Sequence, residues 1–110
     1  MRTLTASADI ERLFAEGTRG SSSLVLVLTG ATPTSRGPHG RVMFVAGKKL
    51  GNAVHRNRAK RVLRAACARA GGPWDGADTA LIARRGTGAA APEVLDAELR
   101  QALRKAGVVT

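Results

Sequence analysis

The sequence predicts a single α+β domain over residues 1–110, with helices packed on one mixed β-sheet. Three observations carry this. Three short runs are rich in β-branched and apolar residues (24–29, 41–46 and 78–84), and three segments carry apolar residues at helical spacing (7–16, 54–70 and 92–106). The two kinds do not alternate as a regular βαβα series, and 110 residues suit one modest core rather than two.

Taken in order, residues 7–16 read as a short helix. Ser7 is a natural N-cap, Asp9 and Glu11 suit the positive helix start, and Ile10, Leu13 and Phe14 share one face before Gly17 stops it. The run LVLVLT at 24–29 reads as a strand. Residues 30–40, with two Pro and three Gly, form a loop rather than a linker. RVMFVA at 41–46 is the next strand, expected antiparallel to the first across that loop. After a Gly51-Asn52 turn comes the central helix, whose Ala59, Val62, Leu63, Ala66, Cys67 and Ala70 make one apolar stripe. Gly71, Gly72 and Pro73 end it, and Trp74 is expected to anchor the following loop on the core. DTALIAR at 78–84 is a third strand. The last helix turns Leu95, Leu99, Ala102, Leu103 and Ala106 inward, with Asp96 in reach of Arg100 at i+4.

Charge separates these helices. The chain carries a net charge of +10, and between Gly17 and Trp74 it has eleven Lys or Arg and no Asp or Glu. Eight of the eleven fall within residues 48–69, KKLGNAVHRNRAKRVLRAACAR. The last helix has acids early (Glu93, Asp96) and bases late (Arg104, Lys105), in agreement with the macrodipole. The central helix crowds His55, Arg56, Arg58, Lys60 and Arg61 into its N-terminal half, against it. Each misplaced cation near the first turn costs about 0.3–1 kcal/mol at low salt. Like-charged i, i+4 pairs (Arg56 with Lys60, Lys60 with Arg64) cost a few tenths more. A helix start is also a ready phosphate site, so the arrangement suits a polyanion. Asn57, Arg61, Arg64 and Ala68 point opposite the apolar stripe, flanked by Arg58 and Lys60.

Several classes fall away. No charged start followed by an apolar stretch opens the chain, so no signal peptide is expected. The longest aliphatic run, residues 24–28, is far short of the ~20 residues that span a bilayer. One cysteine excludes an internal disulfide and fits a reducing cytoplasm. Three aromatic residues are too few for base stacking to dominate affinity. His39 and His55 lack neighbours at ligand spacing, so no protein-held metal is expected. A stand-alone nuclease needs convergent carboxylates, whereas the eight acids here lie toward the two ends. Composition leaves an RNA-processing subunit and a structural RNA-binding protein, such as a ribosomal one, side by side.

The motif divides them. Gly51-Asn52-Ala53-Val54, Arg56-Asn57-Arg58, Lys60-Arg61 and Leu63-Arg64, after Lys48-Lys49, closely resemble the signature of the bacterial ribonuclease P protein subunit. The likeness extends to the first helix, Gly17 and the strand ending Ile82-Ala83-Arg84. The resemblance implies a left-handed β-α-β crossover through the basic helix. It implies a protein that pairs with a catalytic RNA to remove the 5′ leader from precursor tRNA, the RNA and Mg²⁺ performing the hydrolysis. The protein then carries no catalytic residue and needs no obligate protein partner or membrane. Its RNA-binding residues would be Lys48, Lys49, Asn52, Arg56, Asn57, Arg58, Lys60, Arg61 and Arg64.

A cleft between sheet and helix would hold the single-stranded leader, with Phe14 and Phe44 as contacts or as core residues. Relatives carry Phe where this chain has Ile10 and an aromatic near Leu28, which implies weaker leader stacking here. Arg84 and Arg85 read equally as phosphate contacts or as a solvated strand end. His55 stands between a phosphate contact and none, Cys67 reads as a packed thiol, and Arg19, Arg36 and Arg41 are unassigned.

Overall fold

The computed structural model describes residues 7–32 and 39–109, the first four of them as backbone only. The elements run α1 (Ser7–Glu16), β1 (Thr18–Ser21), β2 (Val25–Ala31), β3 (Val42–Val45), α2 (Ala53–Arg69), β4 (Ala77–Ala83) and α3 (Pro92–Lys105). The six expected elements are present within one or two residues of their expected bounds. The N-cap and inner-face roles expected of Ser7, Asp9 and Ile10, and the unassigned Arg36, fall outside the described side chains.

β1 is the addition. Its sequence, TRGS, has no apolar alternation to announce it; the strand forms because the chain turns straight back after α1. The Gly17 amide donates to the Leu13 carbonyl at 2.9 Å, and Ser22 N donates to Val25 O at 2.8 Å to close the β1–β2 hairpin. Gly20 lets this strand lie against α3, since a Cβ there would sit 2.2 Å from the Ala102 carbonyl oxygen.

The four strands are ordered β1-β2-β4-β3. β2 pairs antiparallel with both β1 and β4, and β3 pairs parallel with β4. The direct β2–β3 pairing expected from the sequence is therefore replaced: β4 inserts between them. The reason is burial. β4 is covered from Asp78 to Leu81 and needs both faces protected, which suits a central strand, while the four-residue β3 takes the edge. Parallel neighbours need a crossover, and α2 provides it.

Side chains alternate between two layers. Val25, Val27, Val42, Leu81 and Ala83 face α2 and α3, whose Leu63, Cys67, Leu95, Leu99 and Leu103 complete the main core. Leu28 and Ala80 face the other way and pack against Leu13 of α1, with Met43 and Ile82 at the margin. The expected inner stripes of both long helices are buried here, Val62 and Ala70 partly so. Trp74 packs on the main core, as expected of it. Burial pushes the Cys67 thiol up to about 11, which makes it an unreactive core group.

One ion pair fixes the parallel edge. Asp78 and Arg41, at the starts of β4 and β3, are 1% and 7% exposed. The Asp78 carboxylate accepts from Arg41 Nη2, from Arg41 Nε at 3.2 Å, from the Arg41 amide at 3.3 Å and from the Thr32 hydroxyl at 3.1 Å. Removing one partner of such a buried pair costs about 3–5 kcal/mol. Arg41 thus belongs to the fold, whereas Arg19 lies exposed on β1.

Candidate nucleic-acid interface

The interface is built where β3 ends and α2 begins. Residues Lys48–Leu50 make one turn of 3-10 helix, and the chain then swings through Gly51 at φ 110°, a backbone conformation open to glycine. Asn52 follows as the N-cap, its Oδ1 accepting from the His55 amide at 3.1 Å. No acidic residue stands in the first turn of α2. The positive helix start, its free amides and the basic side chains therefore act in one direction.

Along α2 the cations divide by what they touch. Arg56 is half-buried and its Nε donates to the Ala46 carbonyl at 2.9 Å. Arg58 leans the other way, its Nε donating to the Gly88 carbonyl at 2.7 Å. The Arg64 guanidinium lies 5.2 Å from the centre of the Phe44 ring, within cation–π range. Lys60 is half-buried between Arg56 and Arg64 on the same flank, while Lys48, Lys49, Asn57 and Arg61 are exposed.

At the far end the pattern reverses. Arg69 Nε and Nη2 grip the Asp96 carboxylate of α3, with contacts at 2.8–3.0 Å. The Asp96 hydrogen bond raises the Arg69 pKa above its usual value. Asp96 is thereby drawn across to α2 rather than along α3 to Arg100, because a bidentate guanidinium fork satisfies both its oxygens. Among the described residues, the C-terminal end of the basic run is neutralised and its N-terminal half is not.

Two features escaped the sequence reading or were left open by it. A cavity of about 490 Å³ lies between the start of α2 and the turn after β4, bounded by Lys49, His55, Arg58, Arg85, Gly86 and Gly88. A second, of about 670 Å³, lies beyond the ends of β3 and β4, with Val45, Leu50 and Ile82 against Lys48, Arg84 and Arg85. Arg85 borders both cavities. Arg84 is partly committed, its Nη1 donating to the Ser22 carbonyl at 3.0 Å. The parallel β3–β4 pairing brings these positions together, since both strands deliver their C-terminal ends to one edge, where Lys48 and Lys49 start.

Phe14 and Phe44 are not brought together. Phe44 packs with the main core and Arg64, on the α2 side of the sheet, whereas α1 packs on the opposite face and leaves Phe14 49% exposed. Leu28 is buried beneath Leu13. Among the described residues, no three His, Cys, Asp or Glu side chains come together as a metal would require.

The family model for Ribonuclease P matches residues 1–107. The chain belongs to this family. The ribonuclease P protein component of Gluconacetobacter diazotrophicus is 46% identical over 70 residues, covering 62% of this chain and 60% of its own length. That of Brevibacillus brevis is 40% identical over 75 residues, covering 64% and 60%. These alignments thus span about three fifths of the curated relatives. Among solved structures, the Staphylococcus aureus RNase P protein superposes with a TM-score of 0.82 at 25% identity over 100% of this chain and 99% of its own. The Thermotoga maritima RNase P protein shares the fold with a TM-score of 0.77 at 22% identity, over 100% and 99%.

Proposed function

We propose that this ribonuclease P family chain is the RNA-binding subunit of a ribonucleoprotein that removes the 5′ leader from precursor tRNA in the cytoplasm. One observation carries the reading. The N-terminal half of α2 holds five cations or histidines with no acid among the described residues paired to them, while three of the acids elsewhere are committed to the fold. Asp78 is taken by Arg41, Asp96 by Arg69 and Glu98 by Ser23 and Leu24. A surface so charged repels itself until phosphates arrive.

On this reading Lys48, Lys49, Lys60, Arg61 and the outward amino groups of Arg56, Arg58 and Arg64 neutralise phosphates of the catalytic RNA, and the uncharged Asn57 hydrogen-bonds to the RNA beside them. Asn52 contributes by holding the helix start, and its amide group stays available. The exposed Phe14 beside the α1 face of the sheet supports a contact with an unpaired leader base, while Phe44 instead supports Arg64. Mg²⁺ would be held by the RNA and its substrate, because the described donor set does not fit a protein-held ion. The phosphodiester chemistry would then belong to the RNA.

Reconstitution tests this. Full-length protein is expected to stimulate precursor-tRNA cleavage by a bacterial ribonuclease P RNA at low Mg²⁺ and to do nothing alone. Six phosphate contacts give a binding slope, log K against log salt, of about −4 to −5. Cleavage by the protein alone, or a slope near zero, would sink the proposal.

A further inference from the structure

We infer that the carbonyl groups of Ala46 and Gly88 are positioning groups of the interface, holding Arg56 and Arg58 ready before RNA arrives. This rests on the RNA-binding reading above and goes beyond it, since it concerns how two contacts are prepared.

A guanidinium has five N–H donors in one plane: a single one on Nε and two on each Nη. Both tethers use Nε, at 2.9 Å to Ala46 and 2.7 Å to Gly88. With Nε–H occupied, the plane can no longer rotate freely about the stem, and the four Nη donors remain for a ligand. Arg56 and Arg58 are two residues apart, about 200° around the helix. Their tethers accordingly run to opposite sides, one to the end of β3 and one to the turn after β4. The Arg58 stem also rests on that turn, since a Cβ at Gly88 would lie 3.8 Å from Arg58 Cγ and Cδ. Together they hold two forks astride the start of α2, flanking the exposed Asn57. Arg61, exposed one turn further on, has no tether among the described residues.

The consequence is chemical rather than electrostatic. Lysine keeps the charge but has no Nε–H with which to take up the tether while leaving other donors aimed outward. Ordering an untethered long side chain on binding weakens affinity by about two- to tenfold. Lysine at 56 or 58 therefore loses preorganisation that lysine at 61 never had.

The test measures binding of the full-length R56K, R58K and R61K proteins to a bacterial ribonuclease P RNA across a salt series, with thermal melts alongside. R56K and R58K are expected to bind about three- to tenfold more weakly, with the salt slope of the wild type, because the charge count is unchanged. R61K is expected to lose about twofold at most. Equal losses at all three positions would overturn the inference, as would a fall in melting temperature at 56 and 58 with affinity intact in the folded protein. A wild-type slope near zero would instead overturn the RNA-binding reading. A second readout needs no variant: in the free protein, the Nε–H protons of Arg56 and Arg58 should exchange with water measurably more slowly than that of Arg61. Equal exchange at the three would also overturn it.

Discussion

α2 and α3 lie side by side on the same face of the sheet and bury the same kind of surface, yet their outer faces obey opposite rules. Inward, Leu63, Ala66 and Cys67 of α2 match Leu95, Leu99 and Leu103 of α3, all within 1% of full burial. Outward, α3 starts with Pro92 and Glu93 and ends with Arg104 and Lys105, and Lys105 Nζ donates to the Ser21 carbonyl at 3.1 Å. Its charges serve the fold. α2 opens with no acid, and the one conventional charge pair it forms among the described residues, Arg69 with Asp96, lies at the end away from the basic half. The inner faces are interchangeable in kind; on the proposed RNA-binding reading, the outer faces divide the work between stability and phosphate.

The inner equivalence is open to the largest effect. Leu63→Ala and Leu99→Ala each delete a fully buried side chain and should each cost about 2–5 kcal/mol in chemical denaturation. If only one of them destabilised, the two helices would not share a single core.

Next in size is the outer difference. Replacing Arg56, Arg58 and Arg61 together by Ala should weaken RNA binding on the order of a hundredfold and flatten the salt slope by about 2–3. A corresponding Ala replacement of Arg100 and Arg104, both exposed on α3, should leave that slope within measurement error of wild type. Stability will respond less simply than charge alone would suggest. Removing Arg61 relieves repulsion only, whereas removing Arg56 or Arg58 also deletes a hydrogen bond to the main chain. Circular-dichroism melts of the single variants should therefore rank R61A above R56A and R58A. The opposite ranking would mean that the tethers do not hold the arginines.

What could be read from the chain follows this same division. The six principal elements and both buried stripes are legible because periodicity is a local property of the sequence. The basic half of α2 is legible because no acid interrupts it. The sheet order is not, since β3 and β4 become neighbours only after α2 has crossed between them. Nor is the Arg41–Asp78 pair, whose partners stand 37 residues apart and resemble any other charges. Least visible is the division of roles among the arginines of α2. Their partners at Ala46 and Gly88 are main-chain carbonyls, which carry no sequence signature. β1 is hidden for a similar reason: TRGS is a strand by hairpin closure, not by propensity.

Smaller still is the effect of charge at the two helix starts. Val54 is 73% exposed in the first turn of α2, where α3 carries Glu93. Val54→Glu should raise stability by about 0.3–1 kcal/mol at low salt while weakening RNA binding. Glu93→Lys should lower stability by a similar amount and leave the RNA salt slope unchanged. Melts at 1 M salt should show both stability shifts largely erased. If Val54→Glu failed to stabilise at low salt, the inverted charge of α2 would not be a cost in the free protein.

The smallest effect lies at the acid end of the pH scale and falls on α3 alone. The Ser23 hydroxyl, followed by the Leu24 amide, holds Glu98 below its ordinary value of 4.5 by hydrogen bonding to the carboxylate. A carboxyl whose folded pKa is depressed contributes stability above its unfolded pKa and loses it as pH falls through the folded one. Glu98 therefore helps to fasten the β1–β2 hairpin to α3 at neutral pH and releases it in acid. The basic half of α2 has no carboxylate to titrate, so it adds no corresponding acid limb of its own. Glu98→Gln should flatten the decline of stability with falling pH below about 4.5, followed by denaturant midpoints at successive pH values. An acid limb as steep as that of the wild type would mean that the Ser23–Glu98 contact is not maintained in solution.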